Sequence, residues 1–336
     1  MKIGYFLAPK NIISGDSNGI KGQARAWKML LTDRGHEVVE LNVWGNYDWK
    51  QFDIIHIFGF GPWLPDFLAT MTPKNPAIVI SPIIDTIQPV SLYKLSTFCG
   101  CSKLRMTSPT HALKNSIANF KGIFTRTDYE SVYVNKALGC PKEYIYKIPL
   151  TYEVDATKQL SLDKENFCLH ISSIYQKRKN VIRLIKAAKK YNFQLVLAGS
   201  KGTEEEFAPL KKEIGNAENI QVLGYISEEK KYELYSKAKV FALPSISEGV
   251  GLVALDAAVN NCEIVITKIG GPKEYYGDLA EVVNPYSVDE IGVSVSKLLS
   301  AKGYQPKLKE HILKSYNPSY LANCLEKSYL EIIARV

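Results

Sequence analysis

Two carboxylates and two glycines within one short stretch carry the strongest chemical signal in this sequence. Glu248, Gly249 and Gly251 lie together before an apolar run, and Asp256 follows Glu248 by eight residues. A glycine loop that opens a helix presents unpaired backbone N–H groups and the positive end of the helix dipole, which suits a phosphate. Two acids beside a phosphate would repel it unless they faced neutral hydroxyl groups. The stretch therefore predicts a site for a sugar joined to a phosphate.

Buried strands and one helix are predicted to hold this loop. Residues 240–243 form a short apolar run that is typical of a parallel strand, and Pro244 and Ser245 end it. A helix is predicted from about residue 252 to residue 259, and a second buried strand over residues 263–267. The order strand, glycine loop, helix, strand places the helix N-terminus at the carboxyl end of a parallel sheet.

This stretch resembles the donor-binding core of the retaining glycosyltransferases of the GT-B fold, the family 4 type, or glycosyl transferases group 1. That family has Pro-Ser, then Glu-Gly-x-Gly-Leu, and a second Glu eight residues after the first. The matching residues here are Pro244, Ser245, Glu248, Gly249, Val250, Gly251, Leu252 and, as an Asp, Asp256. The resemblance implies that Glu248 contacts the donor sugar or the surroundings of its diphosphate. It also implies that Asp256 holds the ribose and that Ser245 and residues 249–252 line the donor site.

A basic loop precedes another predicted helix, residues 181–190. Cations at a helix N-terminus oppose the helix dipole, and they make sense where an anion is shared. The resemblance implies that Lys179 binds the donor diphosphate and that Arg178 replaces the family's Arg. The usual place of that Arg is held by Ser173 or Ile174. Tyr225 falls where the family has its nucleotide-base loop. A solvated run of charge is the alternative interpretation of the basic loop.

Acceptor-side candidates lie in the first half of the chain. Gly19 and Gly22 are predicted to occupy the turn between a strand at residues 2–7 and a helix at residues 23–34, without the dinucleotide spacing GxGxxG. The resemblance implies that this turn faces the reaction centre. The family's His near the end of the strand at residues 77–85 is absent, which leaves Asp85. His111 is a further candidate, although a lone His is more often structural.

Alternating strands and helices predict the fold. We expect two Rossmann-like doubly wound α/β domains that face a central cleft, the GT-B arrangement. Residues 1–152 form the predicted acceptor-side domain, residues 153–316 the donor-binding domain, and residues 317–336 a helix that crosses back to the first domain. The length, 336 residues, agrees with two domains.

Positive charge is concentrated in the first domain. The net charge is +8, and residues 1–152 supply +6 of it, with 17 Lys and Arg against 11 Asp and Glu. Residues 86–127 contain no acid and interleave basic with aromatic side chains, which favours an anionic membrane or a lipid-linked phosphate. A solvated basic face is equally consistent. No nucleic-acid-binding module accompanies the charge, so we expect no nucleic-acid partner.

Cysteine usage and apolar runs bear on location. The six cysteines are scattered without zinc-finger spacing, which favours reduced thiols. The sequence shows no signal-peptide pattern and no apolar run long enough to span a bilayer. We therefore expect a cytoplasmic protein, peripheral at the inner face of the membrane.

The expected activity is a hexosyltransferase reaction that uses a nucleotide sugar without metal or other cofactor. Lys179, Arg178 and the amides of residues 249–251 would stabilise the leaving diphosphate. The resemblance implies retention of anomeric configuration and a glycan or lipid-linked acceptor, in cell-surface polysaccharide or glycolipid synthesis. A sugar-nucleotide epimerase or phosphorylase on the same fold and a non-catalytic sugar-nucleotide-binding subunit are the alternatives.

Overall fold

The structure, a computed structural model, describes residues 1–8, 19–42, 44–101, 106–154, 163–302 and 306–336. The chain divides into two compact units. One consists of Met1–Leu150 and Pro318–Val336, and the other of Thr151–Asn317. Each unit is built on its own six-stranded parallel sheet, which confirms the predicted pair of Rossmann-like α/β domains.

The first unit alternates strands with helices. Its strands are β1 (Lys2–Leu7), β2 (Glu37–Glu40), β3 (Ile54–Phe58), β4 (Ile78–Ser81), β5 (Gly100–Cys101), β6 (Met106–Thr107), β7 (Gly122–Thr125) and β8 (Ile145–Lys147). Its helices are α1 (Gly19–Thr32), α2 (Leu64–Met71), α3 (Val90–Ser96), α4 (Pro109–Ser116), α5 (Asp128–Val132) and the C-terminal helix (Pro318–Ile333). The main sheet has the order β2-β1-β3-β4-β7-β8, and β5 and β6 form a separate antiparallel pair.

The start of α1 differs from the prediction. The helix begins at Gly19 and includes Gly22, whereas both glycines were expected in a turn before it. Neither glycine has a positive φ angle, so the backbone does not require glycine there. Glycine in a helix costs only about 1 kcal/mol, and the buried face that includes Trp27 and Leu31 anchors the helix. Residues 9–18 of the predicted loop lie outside the described residues.

The C-terminal helix is fixed to the first sheet by a buried polar network. The hydroxyl of Tyr329 lies 2.5 Å from Nδ1 of His56, and Nε2 of His56 lies 2.8 Å from Oγ of Ser81. All three residues are fully buried. Burial holds the pKa of His56 well below its usual value, so the ring is neutral. Hydrogen bonds on both ring nitrogens satisfy a buried polar group that would otherwise be costly.

The second unit has the strand order of dinucleotide-binding folds. Its strands are β9 (Glu165–Ile171), β10 (Leu195–Ala198), β11 (Ile220–Gly224), β12 (Ala238–Leu243), β13 (Glu263–Thr267) and β14 (Glu281–Val283). Its helices are α6 (Val181–Tyr191), α7 (Glu204–Ile214), α8 (Glu228–Lys237), α9 (Leu252–Val259), α10 (Pro272–Tyr276), α11 (Val288–Ser300) and α12 (Lys307–Ser315). The order is β11-β10-β9-β12-β13-β14, so the strands up to β11 are added on one side of β9 and the later strands on the other side. The order therefore reverses between β9 and β12, although these two strands are parallel. Ligands of such sheets bind at the carboxyl ends of the strands beside that reversal.

Apolar strands explain why this sheet is buried on both faces. β10 has four buried residues of four, and β12 has five of six. Continuous Val, Leu, Ile and Phe runs suit parallel strands that helices cover on both sides. The predicted bounds of α9 and β13 are confirmed. This rigid sheet fixes where the segments after β9 and β12 begin.

Candidate functional site

An ion-pair cluster lies where the segments after β9 and β12 meet. Nζ of Lys179 lies 2.8 Å from Oε2 of Glu248, and Nη1 of Arg178 lies 3.4 Å from Oε1. The backbone N–H of Ile246 donates to the carbonyl of Arg178 at 2.8 Å, which ties the two segments together. The structure thus brings together three residues that the sequence assigned to one site, at the reversal point of the strand order.

The Glu248 carboxylate is ionised. Its side chain is only 10% exposed. Burial alone would raise the pKa of Glu248, but the charges of Lys179 and Arg178 outweigh it and lower the pKa to about 2. Two cations therefore face one carboxylate, and the cluster carries an excess positive charge.

Glycine is required where the segment after β13 approaches Glu248. Gly270 has φ +103°, and a Cβ there would lie 2.0 Å from the carbonyl oxygen of Glu248. That carbonyl accepts the N–H of Gly271 at 3.1 Å, and the N–H of Glu248 donates to Ile269 at 3.3 Å. Two backbone hydrogen bonds to residues 269–271 therefore hold the loop at Glu248.

The N-terminus of α9 follows this loop directly. Its N-cap is Gly251, with φ +83° and no side chain to cap the first amides. The hydroxyl of Tyr276 donates to the carbonyl of Gly251 at 2.8 Å, which fixes the turn. Val250 is buried, and Leu252 begins the helix. A helix N-terminus without a side-chain cap can donate its amides to an anion.

Asn180 is a positioning residue that the sequence argument did not identify. It is buried, with φ +60°, and its Nδ2 donates to the carbonyls of Pro244 at 2.8 Å and Pro285 at 2.6 Å. These bonds fix the basic loop against the end of β12. The tolerance of Asn for left-handed backbone is the signal that was available in the sequence.

The other donor-side candidates have different surroundings. Ser245 is fully buried beside Glu248, Ser173 is half-buried after β9, and the side chain of Tyr225 is 86% exposed. Asp256 is 3% exposed, and its Oδ1 accepts the backbone N–H of Glu153 at 2.8 Å. Burial raises the pKa of Asp256 to about 7. The observed partner of Asp256 is thus a backbone amide at the start of the second unit.

Asp85 is exposed, and its carboxylate pairs with a buried Arg126–Glu130 pair in the first unit. Nη2 of Arg126 donates to Oδ1 of Asp85 at 2.8 Å, and Nε of Arg126 donates to Glu130 at 2.9 Å. Glu130 also accepts the N–H of Ile84 at 2.7 Å. The preceding residue, Ile83, has φ +61°, which is strained for a β-branched residue. The loop after β4 is thus held in an unfavourable conformation by Glu130.

The remaining acceptor-side candidates lie apart from that cluster. Nδ1 of His111 bonds to the carbonyl of Thr97 at 2.8 Å, and Nε2 accepts from Asn115 at 2.9 Å, so both ring nitrogens are engaged locally. Gly19 starts α1, and a Cβ there would meet nothing within 4 Å. No hydrogen bond joins Gly19, Asp85 and His111, all of which the structure describes. Their assignment to one acceptor site stays a prediction.

Metal-ligating side chains are not clustered in the described part of the chain. Across its six described ranges, no three His, Cys, Asp or Glu side chains are placed to hold a metal ion together. The polar groups of the candidate site are instead a carboxylate, two cations and backbone amides. Such a set suits a ligand that carries both hydroxyl groups and negative charge.

The second unit is similar to one known protein family. Residues 153–315 match the model of the glycosyl transferases group 1. The O-antigen chain mannosyltransferase B of Escherichia coli is 28% identical over 173 residues, 49% of this chain and 45% of that protein. A glycosyltransferase of Methanocaldococcus jannaschii is 23% identical over 71% of this chain and 61% of its own length. The chain thus spans about half the length of these curated relatives.

Solved structures share the fold across the whole chain. Sucrose-phosphate synthase from Thermosynechococcus elongatus superposes with a TM-score of 0.73 at 15% identity, and the match covers 100% of both chains. Anabaena HepE in complex with UDP-glucose superposes with a TM-score of 0.72 at 14% identity and the same coverage. The chain therefore has the GT-B fold, and its residues 153–315 match the family model of the glycosyl transferases group 1.

Proposed function

We propose that this protein is a glycosyltransferase that moves a sugar from a nucleotide-sugar donor to a hydroxyl group of a glycan or lipid-linked acceptor. The family match and the mannosyltransferase relative support the reaction class. The observation that carries the proposal is the Lys179–Glu248 pair next to the N-terminus of α9. Cations, a carboxylate and helix amides lie together there, as a diphosphate joined to a sugar requires.

The chemistry assigns a role to each group. Negative charge develops on the diphosphate as the bond to the sugar breaks, and preorganised donors stabilise it most where water is excluded. Lys179, Arg178 and the first amides of α9 are these donors in the proposal, and no protein-bound metal is needed for the step. Glu248 pairs with the two cations before the donor binds and then accepts a hydrogen bond from a hydroxyl group of the donor sugar. Retention of configuration is carried over from the family resemblance.

Two positions of the second unit bear on the nucleoside half of the donor. The exposed ring of Tyr225 leaves both faces accessible for stacking on a base. Asp256 stands at the position that the family uses for the ribose, and Ser173 at the end of β9 flanks the diphosphate. We place the donor along the carboxyl edge of the second sheet, from β11 to α9.

An exposed apolar patch supports a membrane-bound acceptor. We use the name apolar patch for five residues of one segment that are each between 49% and 65% exposed: Ile87, Leu92, Leu95, Phe98 and Met106. It lies within the acid-free segment 86–127, of which residues 102–105 are outside the described residues. Among the helices that the structure describes, none is long and apolar enough to cross a bilayer. Apolar side chains beside lysines suit the surface of an anionic membrane. We propose that the patch holds the protein there.

Release of nucleoside diphosphate tests the reaction. The purified protein is incubated with UDP-, GDP- and ADP-sugars, each with and without a bacterial membrane-lipid extract as the acceptor source. We expect one donor to release its diphosphate, and the extract to speed the release. Interconversion of the nucleotide sugar without an acceptor would instead indicate an epimerase, and tight binding without release would indicate a non-catalytic subunit.

A further inference from the structure

The buried carboxylate of Asp256 holds the first residues of the second unit. Oδ1 accepts the N–H of Glu153 at 2.8 Å. Asp256 lies on α9, the helix whose N-terminus follows the glycine loop. Residues 151–154 come directly after the boundary between the two units, at Leu150. One side chain therefore joins the donor-site helix to the chain as it enters the second unit.

The chain leaves the second unit through residues tied to the same elements. Oγ1 of Thr151 donates to the carbonyl of Tyr316 at 2.7 Å. Tyr316 stacks on Tyr275 of α10, with ring centroids 4.4 Å apart and planes 15° apart. The next residue of α10, Tyr276, donates to the carbonyl of Gly251 at 2.8 Å. The segment that enters the second unit and the segment that leaves it thus both contact helices that support the glycine loop.

We propose that Asp256 is a positioning residue that couples the crossing segment 151–154 to the donor site. Occupation of the site by a nucleoside diphosphate orders the glycine loop and α9, and Asp256 passes this order to the amide of Glu153. A ligand that rigidifies one element of a coupled pair also stabilises the other, and the coupling is reciprocal. This inference rests on the proposed function, because it takes the ligand to be a nucleoside diphosphate.

The proposal makes a choice that the family resemblance does not make. At this position the family places an acid on the ribose, but here the carboxylate already bonds to the backbone amide of Glu153. Asp is one methylene shorter than Glu, so it reaches less far beyond the helix. We assign the carboxylate to the amide of Glu153 in both the empty and the occupied protein.

Hydrogen exchange followed by mass spectrometry tests the assignment on the full chain. Without ligand, we expect Asp256→Ala to raise the exchange rate of the peptide containing Glu153 and Val154 at least tenfold. Asp256→Asn keeps an acceptor oxygen, so it should raise the rate less and covers the case in which the Ala variant fails to fold. Asp289→Asn makes the same chemical change on the surface of the second unit and should leave this peptide unchanged. Equal exchange in all four proteins would overturn the proposal.

Adding UDP, GDP or ADP, each at millimolar concentration, separates this inference from the proposed function. In the wild type, the nucleotide that binds should protect the peptide containing residues 249–252 and the one containing residues 151–154, each at least threefold. In Asp256→Asn the first protection should persist and the second should fall. If no nucleotide protects residues 249–252, the proposed function fails. If they are protected while residues 151–154 exchange unchanged or faster, the carboxylate does not couple the two, and the inference fails alone.

Discussion

Lys179 and Glu248 are 69 residues apart in the chain, and their charged atoms lie 2.8 Å apart. Each sits in a segment that leaves the carboxyl end of a parallel strand, β9 or β12, and these two strands are neighbours in the sheet. The strand order therefore brings the pair together. The excess positive charge that remains after pairing is what a diphosphate would meet.

Replacing Lys179 should affect both turnover and stability. Lys179→Ala removes a preorganised donor, and such a loss typically lowers the rate about a hundredfold. It also removes the shorter of the two ion pairs of Glu248, so we expect the unfolding free energy to fall by about 2 kcal/mol. Urea unfolding and diphosphate release on the same sample measure the two effects.

The exposed neighbour Lys177 provides the matched control for this experiment. Lys177→Ala removes the same charge from the same short segment and should change neither quantity appreciably. The double variant Lys179→Ala/Glu248→Gln should recover part of the stability but none of the turnover. Wild-type turnover in Lys179→Ala would remove Lys179 from the diphosphate role.

Acid should weaken the Glu248 cluster in a defined pH range. The pKa of Glu248 is about 2 in the folded protein, against 4.5 for the ordinary side chain. The carboxylate therefore contributes its full stability above about pH 4.5 and loses it as the pH falls toward 2. The contribution is about 3 kcal/mol, because each tenfold change in proton affinity corresponds to about 1.4 kcal/mol. The unfolding free energies of wild type and Glu248→Gln, measured with urea at pH 6, 4 and 3, should approach each other as the pH falls. A difference in unfolding free energy that stays the same at all three pH values would contradict the lowered pKa of Glu248.

Glu130 should be among the most important polar residues for the stability of the first unit. Its carboxylate accepts from the amides of Ile84 and Arg126 and from the Arg126 side chain. Glu130→Ala removes the more deeply buried of the two carboxylates that pair with the Arg126 guanidinium, which should cost about 3 kcal/mol. Asp128→Ala, on the same short helix but 75% exposed, should cost at most about 1 kcal/mol. Thermal unfolding of both variants measures these costs. Equal losses of stability would show that Glu130 stabilises the first unit no more than an exposed carboxylate does.

The apolar patch should bind anionic vesicles. Leu95→Gln/Phe98→Gln removes two of its most exposed side chains and should lower the fraction that sediments with phosphatidylglycerol-containing vesicles several-fold. Met29→Gln changes an apolar residue of α1 that is also 66% exposed but lies outside the patch. It should sediment like the wild type. Unchanged sedimentation of the double variant would show that the patch does not bind the protein to the membrane.

Local patterns predicted most of the fold. The strand at residues 263–267 and the helix at residues 252–259 have the bounds that their apolar runs and stop residues indicated. The family resemblance named Lys179, Arg178 and Glu248, and the structure places them in contact. Patterns confined to neighbouring residues are enough for such elements, because burial on both faces of the sheet decides them.

Contacts between distant segments were not predictable in the same way. The bond from Glu153 to Asp256 spans 103 residues, and the pair Asp85 and Arg126 spans 41. Nothing in the local sequence of either partner indicates the other. The start of α1 was predicted wrongly for a related reason, because the glycines favour a turn while the buried face of the helix decides its length.

Binding of nucleotide sugars tests the central claim most directly. Melting temperature is measured for wild type and Lys179→Ala with UDP-, GDP-, ADP- and CMP-sugars and no added metal. Stabilisation grows with ligand concentration relative to the dissociation constant. The account predicts that one nucleotide class raises the wild-type melting temperature and that the shift is lost, or much smaller, in Lys179→Ala. An unchanged melting temperature with every donor, in a wild-type sample that unfolds cooperatively, would contradict a donor site at Lys179 and Glu248.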